Sequence, residues 1–323
     1  MKAIAQDKYG SPEALELRDI DKPAIKDDEV LLRVRAASVN PPDWAGVTGV
    51  PYVARVATGL RKPRNRVRGS DVAGIVEAVG KNVTRLHVGD EVFGAGDGTF
   101  AEYAVAPEKN LVPKPANVTF EQAAAVPMAG LCALQALRDI GKVQPRQKVL
   151  ITGAGGGIGT FAVQIAKMYG AEVTGVCSTG KVDLVRSLGA DHVIDYTEED
   201  FTRGDERYDF ILDNVVNHSL SRLRGALARK GTLVVNGGQF KQHRWMASIG
   251  TMVKARLMSL FVPQRLCSFL SLPNQQDLLA LRELLQAGKV TPVIDRTYQL
   301  SQTAGAIGYF GEGHARGKVV IAV

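Results

Sequence analysis

The sequence predicts an α/β fold made of a β-rich opening part and a doubly wound parallel sheet that follows it. Three observations carry this reading. Residues 1 to about 120 fall into short apolar or alternating runs separated by turn residues. From about residue 121 strand-like and helix-like segments alternate, the pattern of parallel strands joined by crossover helices. Inside that stretch, a buried strand turns through glycines into an apolar helix at Val149-Leu150-Ile151-Thr152-Gly153-Ala154-Gly155-Gly156-Gly157-Ile158-Gly159.

The elements follow in order. Residues 29–36 and 71–80 read as β segments of the opening part. A helix is expected over 120–140, then a strand over 148–152, a helix over 158–169 and a strand over 172–177. A helix over 181–188, strands over 192–194 and 208–213, a helix over 219–228 and a strand over 231–236 complete the alternation. Residues 240–270 mix basic and apolar residues around Trp245, Met246, Met252, Met258 and Phe261, and suit core or lid packing, a dimer contact or a surface helix. After Pro273 a helix over 277–287 and a final strand over 318–323 bring the chain back. No internal repeat or low-complexity linker interrupts it.

The glycine turn is where a dinucleotide is expected. Without Cβ atoms the backbone turns tightly and approaches a pyrophosphate, whose charge the free N–H groups and the helix dipole stabilise. The frame is Ala154-x-Gly156-x-x-Gly159, with Ala at the first glycine position. Gly156, Gly157, Ile158 and Gly159 are the expected backbone contacts.

Composition narrows the class. The chain has 323 residues, 45% of them hydrophobic and 23% charged, which suits two globular domains. Its three cysteines, Cys132, Cys177 and Cys267, stand far apart, against a disulfide framework or a four-thiolate zinc site. No stretch reaches the roughly 18 apolar residues of a membrane span, and the first residues lack a signal-peptide core, so a cytoplasmic protein without membrane insertion is expected. The net charge of +7 suits an anionic ligand. The basic run Arg61-Lys62-Pro63-Arg64-Asn65-Arg66-Val67-Arg68 lacks the interleaved aromatics of a single-strand platform, so no specific nucleic acid is expected.

Ala73-Gly-Ile-Val-Glu-Ala-Val-Gly80, His87-Val-Gly-Asp-Glu-Val-Phe-Gly94, Ala101-Glu-Tyr103, the glycine turn and Gly317-Lys-Val-Val320 together resemble the medium-chain dehydrogenase/reductase superfamily, and within it the zinc-free NADPH:quinone oxidoreductase-like branch. The resemblance implies a GroES-like β-rich catalytic domain over 1–121, completed by 273–323, and a Rossmann NADPH-binding domain over 122–272. Where zinc alcohol dehydrogenases of the superfamily carry a catalytic Cys and a Gly-His-Glu motif, this chain has Asn40 and Gly69-Ser70-Asp71, so no metal is expected. Without zinc to acidify a hydroxyl, hydride delivery to an electrophilic acceptor is the expected chemistry.

The second Rossmann strand ends in Ser178-Thr179-Gly180-Lys181 with no carboxylate at the turn, and this Ser-x-x-Lys pattern with Tyr196 resembles an NADPH site. Ser178 also suits a helix N-cap. Asn236 and Gly237 end a strand where family members face the nicotinamide, and Lys318 is a further cofactor candidate. By resemblance Asn40 and Asp43 lie near the nicotinamide, Asn40 as a donor to the acceptor oxygen and Asp43 also as a cap for a helix starting at Trp44. Tyr52 is the best side-chain proton donor of its segment. Cys132 suits buried packing.

The expected enzyme is an NADPH-dependent quinone oxidoreductase acting on a small quinone or enone, with a homodimer formed by sheet extension as a possible assembly. The alternatives are an enone, 2-alkenal or enoyl-thioester double-bond reductase, and, from another class, an NADPH-sensing or RNA-binding protein.

Overall fold

The computed structural model describes residues 1–50, 52, 55–236, 250, 254–255, 257–259 and 261–323. The chain divides into two compact units, Met1–Leu131 with Pro273–Val323, and Cys132–Leu272.

In the first unit β1 (Lys2–Ala5) and β2 (Glu16–Asp19) form an antiparallel pair. Next come β3 (Glu29–Ser38), α1 (Pro41–Thr48), α2 (Arg55–Thr58), β4 (Asp71–Val79), β5 (Glu91–Ala95), β6 (Tyr103–Pro107) and β7 (Leu111–Pro113). Helix α3 (Phe120–Ala124) packs on β3 and β4, and α4 (Pro127–Gln135) follows. That packing carries the first unit past residue 121, where the sequence texture changes.

The second unit is an alternation of β8 (Lys148–Thr152), α5 (Gly157–Met168), β9 (Glu172–Cys177), α6 (Val182–Ser187) and β10 (His192–Asp195). It continues through β11 (Tyr208–Asp213), α7 (Leu220–Gly225), β12 (Leu227–Val235) and β13 (Arg265–Cys267). The chain then returns to the first unit as α8 (Gln275–Gln286), β14 (Ile294–Gln299), α9 (Thr303–Glu312) and β15 (Lys318–Ala322).

The first sheet runs β14-β15-β3-β4-β5-β7, with β6 on β3, and is antiparallel except for β14 against β15. Alternating burial along β3 and β4 builds one core from Val30, Leu32, Val34, Val72, Val76 and Val92. The second sheet runs β10-β9-β8-β11-β12-β13 and every pair is parallel. Strand order reverses between β8 and β11, so the loops leaving these strands flank the switch point, where open parallel sheets bind ligands.

Three expectations need correcting. The helix over 120–140 is two helices, because Pro127 lacks the N–H that would continue α3 and instead opens α4, which then passes into a π-helical turn at Ala136–Gly141. The helix expected over 219–228 stops at Gly225, and β12 begins at Leu227 rather than 231, because the Ala226 carbonyl accepts the Tyr208 N–H and draws the chain into the sheet. Residues 265–267, read as core or lid packing, are an edge strand.

Candidate functional site

The residues expected to hold the cofactor's phosphates lie on the second unit. Gly153 takes φ +63, a value open to glycine, and the chain then enters α5 with Gly156 as an N-cap that supplies no side-chain acceptor. The first N–H groups of a helix have no intrahelical acceptor, so the Gly157, Ile158 and Gly159 amides begin a helix whose cap leaves donors for an anion. A Cβ at Gly159 would stand 2.1 Å from the Gly153 carbonyl oxygen and 2.6 Å from Ala154 Cα, so glycine is required there for turn and helix to pack. A Cβ at Gly156 would meet only that oxygen, at 3.3 Å, which leaves the face of the turn open.

Ser178 caps the short 3-10 turn Thr179–Lys181 with its backbone, while its hydroxyl makes no capping bond. That resolves the two readings of Ser178: the hydroxyl is not consumed by the cap. The Lys181 stem covers the glycine turn, its Cδ 2.8 Å and its Cβ 2.9 Å from where a Gly155 Cβ would be. Thr179 Oγ1 shares a 3.1 Å hydrogen bond with Thr197 Oγ1, and both hydroxyls hold the Asp195 carboxyl below its ordinary range. Tyr196 is 56% exposed, and its N–H donates to the Cys177 carbonyl. These residues fit a phosphorylated dinucleotide: amides at an open helix start, a lysine over the glycine turn, and a hydroxyl beside it.

A buried polar relay crosses the strand ends of this unit. Thr152 Oγ1 donates to Asp213 Oδ1 at 2.7 Å and accepts the Asn214 N–H at 3.0 Å. Asn214 Nδ2 donates to the Thr152 carbonyl at 3.0 Å. A carbonyl only accepts, so Asn214 Oδ1 is left to accept from Asn236 Nδ2 at 2.8 Å, and Asn236 Oδ1 accepts from Cys132 Sγ at 3.4 Å. Burial pushes the Cys132 thiol up to about 11 although the Asn236 bond opposes this, so Cys132 remains a thiol. Gly237 lies outside the described residues.

The first unit holds the other group of expected residues, and here one role changes. Asn40, 2% exposed, has its side chain fully engaged: Nδ2 donates to Asp71 Oδ2 at 2.9 Å and to the Ser38 carbonyl at 3.3 Å, while Oδ1 accepts from Lys318 Nζ at 2.5 Å. Its expected role as donor to an acceptor oxygen is therefore replaced by a structural one. Lys318 Nζ also donates to the Val39 carbonyl at 3.3 Å and stands 3.6 Å from Asp71 Oδ2. Within this unit it is a buried counter-ion to Asp71. Asp71 further accepts from Ser38 Oγ at 2.9 Å and from the Met128 N–H at 3.1 Å.

Zinc does not fit these residues. An amide, a hydroxyl and one carboxylate replace the thiolate and imidazole donors, and the Lys318 ammonium already lies against Asn40 and Asp71, where a second cation would be repelled.

Asp43 is at the third position of α1, which starts at Pro41 rather than Trp44, and its Oδ2 accepts the Asn40 N–H at 2.9 Å, one half of a capping box. Burial and the charge of Asp71 push its carboxyl up to about 7, against the opposing Asn40 N–H, Lys318 and Arg68. Between pH 3.8 and about 7 the folded chain therefore holds a proton that the unfolded chain has lost. Stability falls as pH rises through this window, by up to about 1.4 kcal/mol per pH unit, and the loss levels off above it. Asp43→Asn keeps an acceptor for the Asn40 N–H and removes the titration. Its melting temperature, followed from pH 4 to 8, is expected to lack the downward slope that Asp43 adds to the parent; equal slopes would contradict this.

Tyr52 is 65% exposed, and the Arg55 guanidinium lies between its ring, at 4.6 Å, and that of Tyr9, at 4.5 Å. The basic run is partly spent inside the unit: Arg66 pairs with Asp7, and Arg68 is drawn inward beside Tyr9 and Asp43. Among the described residues no helix is long and apolar enough to cross a membrane.

Sequence reading missed Thr152, Asp213 and Asn214. Their one signal was position, at the ends of the strands that flank the switch point.

The alcohol dehydrogenase GroES-like domain family matches residues 26–116, and the zinc-binding dehydrogenase family matches residues 188–321. The mouse (Mus musculus) protein named NAD(P)H oxidoreductase RTN4IP1, mitochondrial, is 34% identical over 100% of this chain and 89% of its own length. The Arabidopsis thaliana protein named NADPH-dependent alkenal/one oxidoreductase, chloroplastic, is 33% identical over 99% of this chain and 79% of its own. Among solved structures, the quinone oxidoreductase from Coxiella burnetii superposes with a TM-score of 0.87 at 30% identity, covering 100% of this chain and 99% of that one.

Proposed function

Because this chain belongs to the medium-chain dehydrogenase/reductase superfamily, in its quinone oxidoreductase-like branch, we propose that it is an NADPH-dependent oxidoreductase that reduces a quinone or a related activated carbonyl acceptor. The observation that carries this is the open cap of α5 at Gly156, with the Lys181 stem over the adjoining Gly155 and the Ser178 hydroxyl uncommitted to its cap.

When bound, NADPH supplies the hydride. Gly157, Ile158 and Gly159 take the pyrophosphate on their amides, approached over the side-chain-free face of Gly156, whose own N–H donates to the Gly153 carbonyl, and Ser178, Thr179 and Lys181 take the 2′-phosphate, with Tyr196 beside them. The relay from Thr152 to Asn236 orients the Asn236 amide at the end of β12. The unit of residues 1–131 and 273–323 makes up the acceptor-binding domain, and the unit of residues 132–272 the NADPH-binding domain, ten residues later than the boundary expected from the sequence. Tyr52 is the exposed phenol of the acceptor domain and donates the proton that accompanies the hydride. Asn40 and Asp43 position α1 rather than touch the acceptor.

Quinones and enones share an electrophilic carbon or oxygen conjugated to a carbonyl. The Coxiella relative's name supports the quinone reading, and the Arabidopsis relative's name keeps the enone reading beside it. The free thiols of Cys132, Cys177 and Cys267 support a reducing, cytoplasmic setting. Strand β13 pairs only with β12 among the described residues, and Leu270 and Leu272 are exposed just after it, which supports a homodimer formed at that edge.

The test is NADPH oxidation by the purified protein with a 1,4-quinone and with a 2-alkenal of matched size, products identified. Quinol formed one-to-one with NADPH, at a kcat on the order of 10 per second, is expected. Saturated aldehyde without quinol would assign double-bond reduction, and no oxidation with either would overturn the proposal.

A further inference from the structure

Asp213 is the last residue of β11 and is completely buried. A buried carboxylate needs donors, and its Oδ1 has three: Thr152 Oγ1 at 2.7 Å, the Val216 N–H at 3.1 Å and the Val215 N–H at 3.3 Å. Its Oδ2 has none among the described residues. Among the described residues no cationic side chain pairs with it, so the group is placed at some cost.

What it holds is strained. Val216 takes φ +55, a left-handed conformation that a β-branched residue strongly disfavours. The Val215 and Val216 N–H groups converge on one carboxylate oxygen through the turn at Asn214 and Val215, and the chain leaves that turn through the strained Val216. The turn also lays Val215 against the glycine turn, its Cγ2 3.1 Å from where a Gly153 Cβ would stand. Asn214, the first residue of the loop, is tied to Thr152, which directly precedes Gly153. The two loops at the switch point are therefore braced against each other through one carboxylate.

We propose that Asp213 is a positioning residue whose carboxylate anchors the 214–216 loop against the strain stored at Val216 and so keeps that loop against the glycine turn that receives the cofactor. The cofactor part of this rests on the function proposed above; the clamp itself does not. Without the carboxylate, Val216 relaxes to an extended conformation, Val215 leaves Gly153, and the glycine turn loses its lateral support. Glycine at 216 adopts the same φ without strain, so it makes the clamp dispensable.

The test is a double-mutant cycle read in two ways. NADPH titration of Asp213→Ala is expected to give a Kd about tenfold above the parent's, a loss of about 1.4 kcal/mol, and Val216→Gly in that background is expected to restore at least half of it on a logarithmic scale. Val216→Gly alone is expected to leave the parent's Kd unchanged. Independently of cofactor, Val216→Gly is expected to raise the melting temperature of Asp213→Ala more than that of the parent. If Asp213→Ala does not fold, Asp213→Leu, which keeps the branched shape and removes both acceptors, takes its place in the same cycle.

A purely structural role would lower the melting temperature equally with or without glycine at 216 and leave no rescue of binding, which overturns the proposal. An unchanged Kd in a folded Asp213 variant of an NADPH-binding parent overturns it as well. A parent that binds no NADPH contradicts the proposed function, and the clamp is then decided by the melting-temperature cycle alone.

Discussion

Gly159→Ala is expected to lower the melting temperature by about 10 °C and to weaken NADPH binding about a hundredfold, whereas Gly156→Val is expected to weaken binding as much with a melting temperature within about 3 °C of the parent's. The two glycines do different work. A methyl group at 159 is driven into the backbone of Gly153 and Ala154, which has no rotamer with which to yield, so turn and helix must separate. A side chain at 156 meets one oxygen at 3.3 Å and otherwise extends from the open face of the turn, where the proposed pyrophosphate approaches. The backbone there is extended, at φ −96 and ψ −179, which valine accepts. Thermal melts and NADPH titrations of both variants decide this. Equal losses of stability would mean that Gly156 is a packing glycine too, and unchanged binding in Gly156→Val would remove the pyrophosphate from this turn.

Lys318→Met is expected to cost about 3–5 kcal/mol, a fall in melting temperature of about 10 °C, with Asp71→Asn in the same chain recovering most of it. The reason is an uncompensated charge. Lys318 and Asp71 are 4% and 1% exposed at the side chain; burial pushes the Asp71 carboxyl up and the Lys318 ammonium down, and the charge of each opposes that shift in the other. Removing the cation leaves a carboxylate with only Asn40, Ser38 and the Met128 N–H around it. Neutralising that carboxylate as well removes the penalty. A single variant as stable as the parent would show that the cluster carries no buried charge.

What was legible in the sequence was local. The glycine turn, the Ser178-to-Lys181 turn and the parallel sheet are written in contiguous residues, whose spacing and burial obey short-range geometry. The interruption at Pro127 was legible as well, since proline ends a helix by its own covalent structure, but the apolar run on both sides concealed it. The cluster of Asn40, Asp71 and Lys318 was not legible as a cluster, because its hydrogen bonds span 31 and 278 residues and depend on β3, β4 and β15 lying side by side. Each residue was noticed; the partner that determines its role was not. Asp213 was hidden for the same reason. It reads as the polar end of a strand until β8 is placed beside it and Thr152 turns out to be its neighbour in register.

The most direct test of the account is a calorimetric titration of NADPH and of NADH into the parent and into Lys181→Ala. The account predicts that the parent binds NADPH at least about tenfold more tightly than NADH, and that Lys181→Ala erases most of this preference by weakening NADPH alone, since a phosphate pairs with a lysine and a hydroxyl does not. Equal affinity for the two nucleotides in the parent, or equal losses for both in the variant, would contradict it.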